Sequence, residues 1–447
     1  MNARPWFEWA LLWAVLIGVW TSVSVWTPTP PWWNEKAVLV PLIPKALKPI
    51  SPQRNGPIQP AGSLETLSLP NRPELAFLDS LPDDLPSSWK LDGSTSAWFA
   101  LRRFFQRLPH AQHDLLEVYH WGDSQIEADR ISGPLRASWQ QRWGGRGPGW
   151  VLPNTPAQTT ATLEEITGSI VRRAGFGGRS DDEALRLPFF AVNEVVGKAE
   201  WRVQGATKSS ASLGDWGWSE VHTAAPTGSI QLRTATSDWR PSEGKNDSLH
   251  AWHHPDSGSR VWLRFHDVTV AGVHLGSPKG VLVHNLPLRG SAGTLFDKVT
   301  EEDWTSMRAN HPPALILLQF GGNAVPGIRS PSGARWYAER MAHNVKLLRL
   351  QFPGVPVVFV GPSDMGASDQ DYPSLPWVVD ALRESVLNAG GLYWDLREVM
   401  GGAGSMASWV DRGWASSDHI HFTRRGASEV AQRLEAALNH EWKAMRP

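Results

Sequence analysis

Leu115-Leu116-Glu117-Val118-Tyr119-His120 runs directly into Trp121-Gly122-Asp123-Ser124-Gln125. The first six residues (LLEVYH) read as a short strand, and the glycine marks a turn at its end. Beyond the turn, Ile126, Ile131, Leu135, Trp139 and Trp143 carry an apolar spacing that predicts a helix over 126–143, kinked or restarted at Gly133-Pro134. Strand, tight turn and helix in this order begin an α/β unit. They also place Ser124 at a helix N-terminus, where its hydroxyl is exposed and the helix dipole favours negative charge. Taken alone, Gly-Asp-Ser is a weak signal and reads first as an ordinary turn followed by a capping residue.

Working outward, folded sequence begins near Ser96, where Trp98, Leu101, Phe104, Phe105 and Leu108 follow helical spacing. From about 152 to 265 that periodicity stops. Short β-like runs at 199–203, 229–233 and 260–265 are separated by Gly, Ser, Asp and Pro turns, which predicts an all-β insertion of sandwich type. The α/β rhythm then returns. Strands are predicted at 268–275, 280–284, 314–320 (ALILLQF), 355–360 and 391–395, and helices at 334–351, 377–388 and 425–442. Strands alternating with helices imply a mainly parallel sheet covered on both faces. The expected organisation is an α/β body in two pieces, 96–151 and 267–447, with the β-rich insertion at 152–266.

The N-terminal part carries an address. No charged residue occurs between Trp9 and Asn34, and 9–26 (WALLWAVLIGVWTSVSVW) is strongly apolar. As a helix it is about 27 Å long, enough to cross a slightly thinned bilayer core. Trp6, Trp9, Trp26, Trp32 and Trp33 lie near its two ends, as interfacial aromatics do. Thr27-Pro28-Thr29-Pro30-Pro31 follows in place of a small-x-small cleavage site, which favours a retained anchor over a cleaved signal peptide. Arg4 and the amino terminus favour a cytoplasmic 1–8. Thirteen prolines between Pro28 and Pro86 make 27–95 an extended tether. The implied location is the bacterial inner membrane, crossed once, with the folded body in the periplasm.

Composition excludes several classes. Forty-three Lys and Arg against 44 Asp and Glu leave almost no net charge, which argues against a nucleic-acid partner bound by bulk electrostatics. The absence of cysteine removes disulfides, thiolate metal sites and a cysteine nucleophile. Trp is abundant at 26 against 4 Tyr. Most of this is core packing, although exposed Trp also forms sugar-stacking surfaces.

Three further segments carry chemistry, each in or near a loop after a predicted strand, where open α/β sheets place their sites. In Asp418-His419-Ile420-His421, the carboxylate and the second imidazole are three residues apart and can meet at one point. A nucleophilic serine needs such a base, oriented by such an acid. A capping Asp with an incidental His is the plain alternative. A metal pair of His419 and His421 has no carboxylate-rich cluster to support it, so neither metal nor cofactor is expected. Gly321-Gly322-Asn323 follows strand 314–320 and offers an amide to an oxyanion; it also fits an ordinary turn. Gly290, in Leu288-Arg289-Gly290-Ser291, brings a backbone N–H without a side chain in the way.

Ser, Gly, Asn and Asp-x-x-His in this order resemble the four blocks of the SGNH (GDSL-type) hydrolases. The glycine block departs from the related pattern at Pro287 and Arg289. The serine block, 144–149, 361–365 and 401–409 look like the bacterial envelope branch that includes peptidoglycan O-acetylesterases, in which a carbohydrate-binding-like β-sandwich is inserted between the serine and glycine blocks. The resemblance implies a flavodoxin-like three-layer fold. It implies Ser124 as nucleophile, His421 as base and Asp418 orienting it, with the Ser124 and Gly290 N–H groups and the Asn323 side chain as oxyanion hole. Arg289 is a candidate contact for an anionic substrate, and Asp123 is expected to fix its loop through backbone bonds.

The expected activity is removal of O-acetyl groups from a cell-envelope glycan. An O-acetyltransferase using the same triad, served by an acyl-exporting membrane partner, is the alternative. A non-catalytic glycan-binding protein working through its insertion is the second. A lipase or thioesterase fits the envelope-type blocks less well.

Overall fold

A computed structural model describes residues 85–445, apart from 157–158, 178–181, 207–215, 225–227, 243–247, 255–259 and 369. The expected cytoplasmic segment 1–8, the anchor 9–26 and nearly all of the tether 27–95 lie outside the described residues. Among the described residues no helix is long and apolar enough to cross a membrane.

The elements run in this order: β1 (Asp92–Gly93), α1 (Thr95–Arg107), β2 (Leu115–Gly122), α2 (Ser132–Trp143), β3 (Gly149–Val151), β4 (Thr162–Gly168), β5 (Val171–Ala174), β6 (Ala191–Gly205), β7 (Trp218–Thr223), β8 (Ser229–Thr234), β9 (Arg240–Pro241), β10 (Leu249–His253), β11 (Arg260–Gly276) and β12 (Gly280–Pro287). Then follow α3 (Glu301–Asn310), β13 (Pro313–Gln319), α4 (Pro331–Gln351), β14 (Val357–Val360), α5 (Leu375–Asn388), β15 (Leu392–Trp394), α6 (Leu396–Met400), α7 (Ser405–Asp411) and α8 (Arg424–Ala444).

The first sheet has the order β1-β15-β14-β13-β2-β12. All its pairings are parallel except that of β1, which lies antiparallel on β15. With β2 as the first parallel strand, the parallel order is that of a flavodoxin-like sheet, and the switch point falls between β2 and β13. The side-chain period of two sorts β2 cleanly. Leu116 and Val118 face one core with α1, α2 and α8; Tyr119 and Trp121 face another with α4, α5 and the antiparallel strands. Local signals agree with these bounds. Ser330 caps α4 ahead of Pro331 in the first turn, Thr423 caps α8, and Thr300 caps α3.

Nine strands form the second, antiparallel sheet, inserted in the connection between β2 and β12. Its pairing begins at β3 and ends with β11, wider at both ends than 152–266. In particular, 268–275, read from sequence as a strand of the α/β body, is the second half of β11 and pairs with β3, β6 and β7. A register shift between His266 and Val268, with Asp267 at φ +49°, interrupts the strand and makes one element look like two.

The helix expected over 126–143 also divides. Residues 124–129 are a 3₁₀ segment, Ala128 and Asp129 have φ of +55° and +57°, and the α-helix begins at Ser132. Gly133 and Pro134 thus sit in its first turn, where a missing N–H costs nothing. Ser124 therefore starts a 3₁₀ turn and has no α-helix dipole behind it.

Candidate active site

Two parallel strands and one loop build the site. β2 ends at Gly122, and the Asp123 N–H donates to the Gln319 carbonyl at the end of β13, 3.2 Å away. This bond aligns the serine loop with the asparagine loop across the switch point. Asp123 then caps the 3₁₀ turn: its Oδ1 accepts from the Gln125 N–H at 2.9 Å. Burial pushes the Asp123 carboxyl up to about 6, although the Gln125 amide works against the shift. The expected loop-fixing bond is present.

Ser124 is half-buried, and its Oγ lies 3.0 Å from His421 Nε2. His421 Nδ1 lies 2.8 Å from Asp418 Oδ2. The other oxygen, Asp418 Oδ1, accepts from the Ser416 hydroxyl at 2.6 Å, the Ile420 N–H at 2.9 Å and the His421 N–H at 3.0 Å. Burial acts to raise this carboxyl. The bonds from Ser416, His421 and Ile420 outweigh it and hold Asp418 well below the usual carboxylate range. The group is an anion at neutral pH and needs no proton of its own to hold the ring. An imidazole between a hydroxyl and a fixed carboxylate can take a proton from the first while the second stabilises the charge that results.

The loop that carries Asp418 and His421 is held from three sides, two of them in the serine segment. Gln125 donates to the Ile420 carbonyl at 2.6 Å and accepts from the Phe422 N–H at 3.3 Å. Arg130 donates to the carbonyls of Phe422 and Ser124. The Gly366 N–H donates to the His419 carbonyl at 2.9 Å. Asp364, two residues before Gly366, is itself clamped by Arg397 Nε at 2.9 Å and the Met406 N–H at 3.0 Å. Gln125 and Asp364 hold the geometry without touching the hydroxyl or the imidazole. Sequence reading passed over Gln125, whose only signal was adjacency to the serine.

Ser124, His421 and Asn323 line one cavity of about 140 Å³, together with Gly322, Pro326, Pro362, Met365 and Ile420. One Asn323 amide hydrogen reaches the Ser291 carbonyl at 3.2 Å. An amide carries two, so a second donor is available. Gly290, at φ +75°, occupies the turn closed by the Ser291 N–H and the Leu288 carbonyl; the Leu288 N–H in turn donates to the Gly122 carbonyl at 2.7 Å. The glycine loop is thus docked on the end of β2 and on Asn323. Gly290 is not among the residues lining the cavity.

Arg289 is engaged: its Nε and Nη2 lie 2.5 Å and 2.7 Å from the two oxygens of Glu127. The pair stands at the edge of a neighbouring cavity of about 210 Å³. The body contributes Asn285, Pro287, Glu127 and Arg289 to that cavity, and the insertion contributes Glu164, Arg172, Phe176 and Phe189. Any anion reaching Arg289 meets the Glu127 carboxylate as well.

No family model and no curated protein matches the chain. Among solved structures, a peptidoglycan O-acetylesterase superposes with a TM-score of 0.64 at 17% identity, covering 79% of this chain and 99% of that one. A lipase/acylhydrolase from Enterococcus faecalis (TM-score 0.25, 16% identity) covers 36% of this chain and 77% of its own. A catalytic mutant of an acetylxylan esterase from Geobacillus stearothermophilus (TM-score 0.25, 15% identity) covers 36% and 74%. The chain has an α/β body interrupted by an antiparallel domain, and shares this fold with a peptidoglycan O-acetylesterase along 99% of that protein.

Proposed function

We propose that this chain is a serine O-acetylesterase of the SGNH type that deacetylates a cell-envelope glycan. The observation that carries the reading is the continuous hydrogen-bonded sequence Ser124 Oγ, His421 imidazole, Asp418 carboxylate, formed by residues almost 300 positions apart and opening into a cavity. Ser124 attacks the acetyl carbonyl carbon while His421 Nε2 takes the hydroxyl proton, and Asp418 holds the ring in the tautomer that leaves Nε2 free to accept. The tetrahedral oxyanion is met by the Ser124 N–H and the Asn323 side-chain amide, which line the cavity, with the Gly290 loop docked beside Asn323. His421 then returns the proton to the departing sugar oxygen. Water, deprotonated by the same imidazole, cleaves the acetyl-serine, and acetate leaves.

The likeness to a peptidoglycan O-acetylesterase, which includes the antiparallel domain, supports an acetylated glycan as substrate. The apolar segment 9–26 and the proline-rich 27–95 support a body tethered to the periplasmic face of the inner membrane. Turnover of p-nitrophenyl acetate by the wild type and by Ser124→Ala tests the reaction. The variant is expected to lose about 10³–10⁴-fold or more in kcat, and equal rates in the two proteins would remove the catalytic reading. Mass spectrometry of envelope glycans from a deletion strain tests the direction of transfer. Hydrolysis predicts more O-acetyl groups than in the parent, whereas a transferase predicts fewer.

A further inference from the structure

A second polar assembly lies away from Ser124, buried between the two sheets. Glu117 projects from the middle of β2, and His311 follows α3 just before β13; both belong to the α/β body. Glu220 on β7 and His274 on β11 face them from the antiparallel sheet. These residues are 1–5% exposed. Burying two carboxylates is costly unless something positive is shared between them.

We propose that Glu117, His274 and His311 form a structural site for a divalent transition metal of zinc type, which fastens the inserted domain to the catalytic body. Glu117 Oε1 lies 2.9 Å from His274 Nε2 and 3.1 Å from His311 Nδ1, and the three ligand atoms all fall within 4.8 Å of one another. A tetrahedral zinc ion with ligands at about 2.0–2.1 Å sets neighbouring ligand atoms about 3.3 Å apart, so small side-chain adjustments admit the ion. Two imidazoles and a carboxylate suit zinc and, more weakly, cobalt(II).

The surroundings supply what such a ligand set needs. A metal-binding histidine commonly gives its other N–H to a carboxylate, and His311 Nε2 lies 2.5 Å from Glu220 Oε2. His284, fully buried on β12, accepts the Trp150 N–H at its Nδ1, so the proton of the neutral ring is on Nε2. That Nε2 lies 3.3 Å from Glu117 Oε1, in poor alignment for a hydrogen bond. The Trp150 ring packs edge-on against both His274 and His311, with centroids 5.2 Å and 5.0 Å away, and forms an apolar wall. Because the ligands are buried between the two sheets and absent from the Ser124 cavity, the role is structural: the ion joins the two domains and takes no part in ester cleavage. The ligands come from positions 117, 274 and 311, so no motif spacing announces them.

The test uses the purified full chain, stripped with a chelator and titrated with Zn²⁺ alone. About one equivalent is expected to bind per chain, with a rise of several degrees in melting temperature as the ion binds the folded state, while p-nitrophenyl acetate turnover changes less than about twofold. Glu220→Gln, which touches the ion only through His311, is expected to weaken binding about 10–100-fold. His274→Gln is expected to abolish it. Should His274→Gln fail to fold, Co²⁺ added to stripped wild type decides, since tetrahedral nitrogen and oxygen ligation gives strong visible absorption. Failure of the wild type to take up Zn²⁺ at micromolar concentrations, or unchanged uptake by both variants, would overturn the proposal and leave a Glu117–imidazolium–Glu220 network without an ion.

Discussion

The molecule contains two histidine–carboxylate assemblies built from the same chemical groups and placed in opposite settings. His421 and Asp418 stand on a loop beyond the strand ends, with side chains 36% and 47% exposed. His311 sits between Glu117 and Glu220 in the interior, none of the three more than 7% exposed. In the first, the imidazole has a hydroxyl on its far side and a cavity in front of it. In the second, both ring nitrogens face carboxylates and the ring is almost wholly buried. Position relative to the sheets makes the difference: chemistry needs the open C-terminal strand ends, where loops meet, and bracing needs the interface between the two sheets, where water is largely excluded. Damage to the loop assembly should therefore stop turnover and spare stability, and damage to the interior assembly should do the reverse.

The largest effect is expected at Asp418. Asp418→Asn leaves the Ser124–His421 contact but removes the charge that fixes the tautomer, and kcat should fall by about 10⁴-fold. The side chain is exposed, so the melting temperature should stay within a degree or two of wild type. The pH dependence carries a further sign. Asp418 titrates below the usual range in the folded state, so its contribution to stability is present above the unfolded carboxylate value and lost only as pH falls through the lower folded one. Loss of rate between pH 7 and 5 therefore does not belong to Asp418.

Next comes Glu117. Glu117→Gln leaves the buried His311 and His274 without their anion, and breaking a buried ion pair from one side costs about 3–5 kcal/mol. Urea denaturation should show this, while the protein that remains folded keeps esterase activity within a few-fold. A variant as stable as wild type but inactive would erase the distinction between the two assemblies.

Glu164 on β4 gives the smallest effect and sharpens the contrast, because this half-buried carboxyl accepts hydrogen bonds from Trp201 and Thr162 rather than from a cation. Burial pushes it up to about 7, although bonds from Trp201 and Thr162 oppose the shift. Below about pH 4 both folded and unfolded states hold the proton and the residue is neutral in its effect. As pH rises toward 7 the unfolded chain ionises first, and the fold loses up to about 3 kcal/mol. Glu164→Gln should abolish that loss, so its advantage over wild type in melting temperature should grow from pH 5 to pH 8.

Much of the α/β body was legible because its strands are continuous apolar runs and its helices keep their period. The run 314–320 and the final helix fall within a residue or two of β13 and α8. The reading failed where a local pattern is common to both sheets. Alternation in 268–275 identifies a strand but not its partner, and only the pairing with β6 and β7 shows which sheet owns it. Helix α3 was missed because Glu301-Glu302-Asp303-Trp304-Thr305-Ser306-Met307 offers just two buried apolar residues, Trp304 and Met307. The candidate triad was readable because Asp418 and His421 are three apart and Ser124 directly follows a strand. The Glu117–His311–Glu220 assembly was not, since its members come from separate strands and loops with no spacing in common.

A covalent trap addresses the catalytic proposal most directly. Incubation with an alkyl fluorophosphonate, followed by peptide mass mapping, should place one adduct on Ser124, at a rate that drops at least 100-fold in His421→Ala. An adduct on a different residue, or equally fast labelling without the imidazole, would mean that Ser124 is not the activated nucleophile.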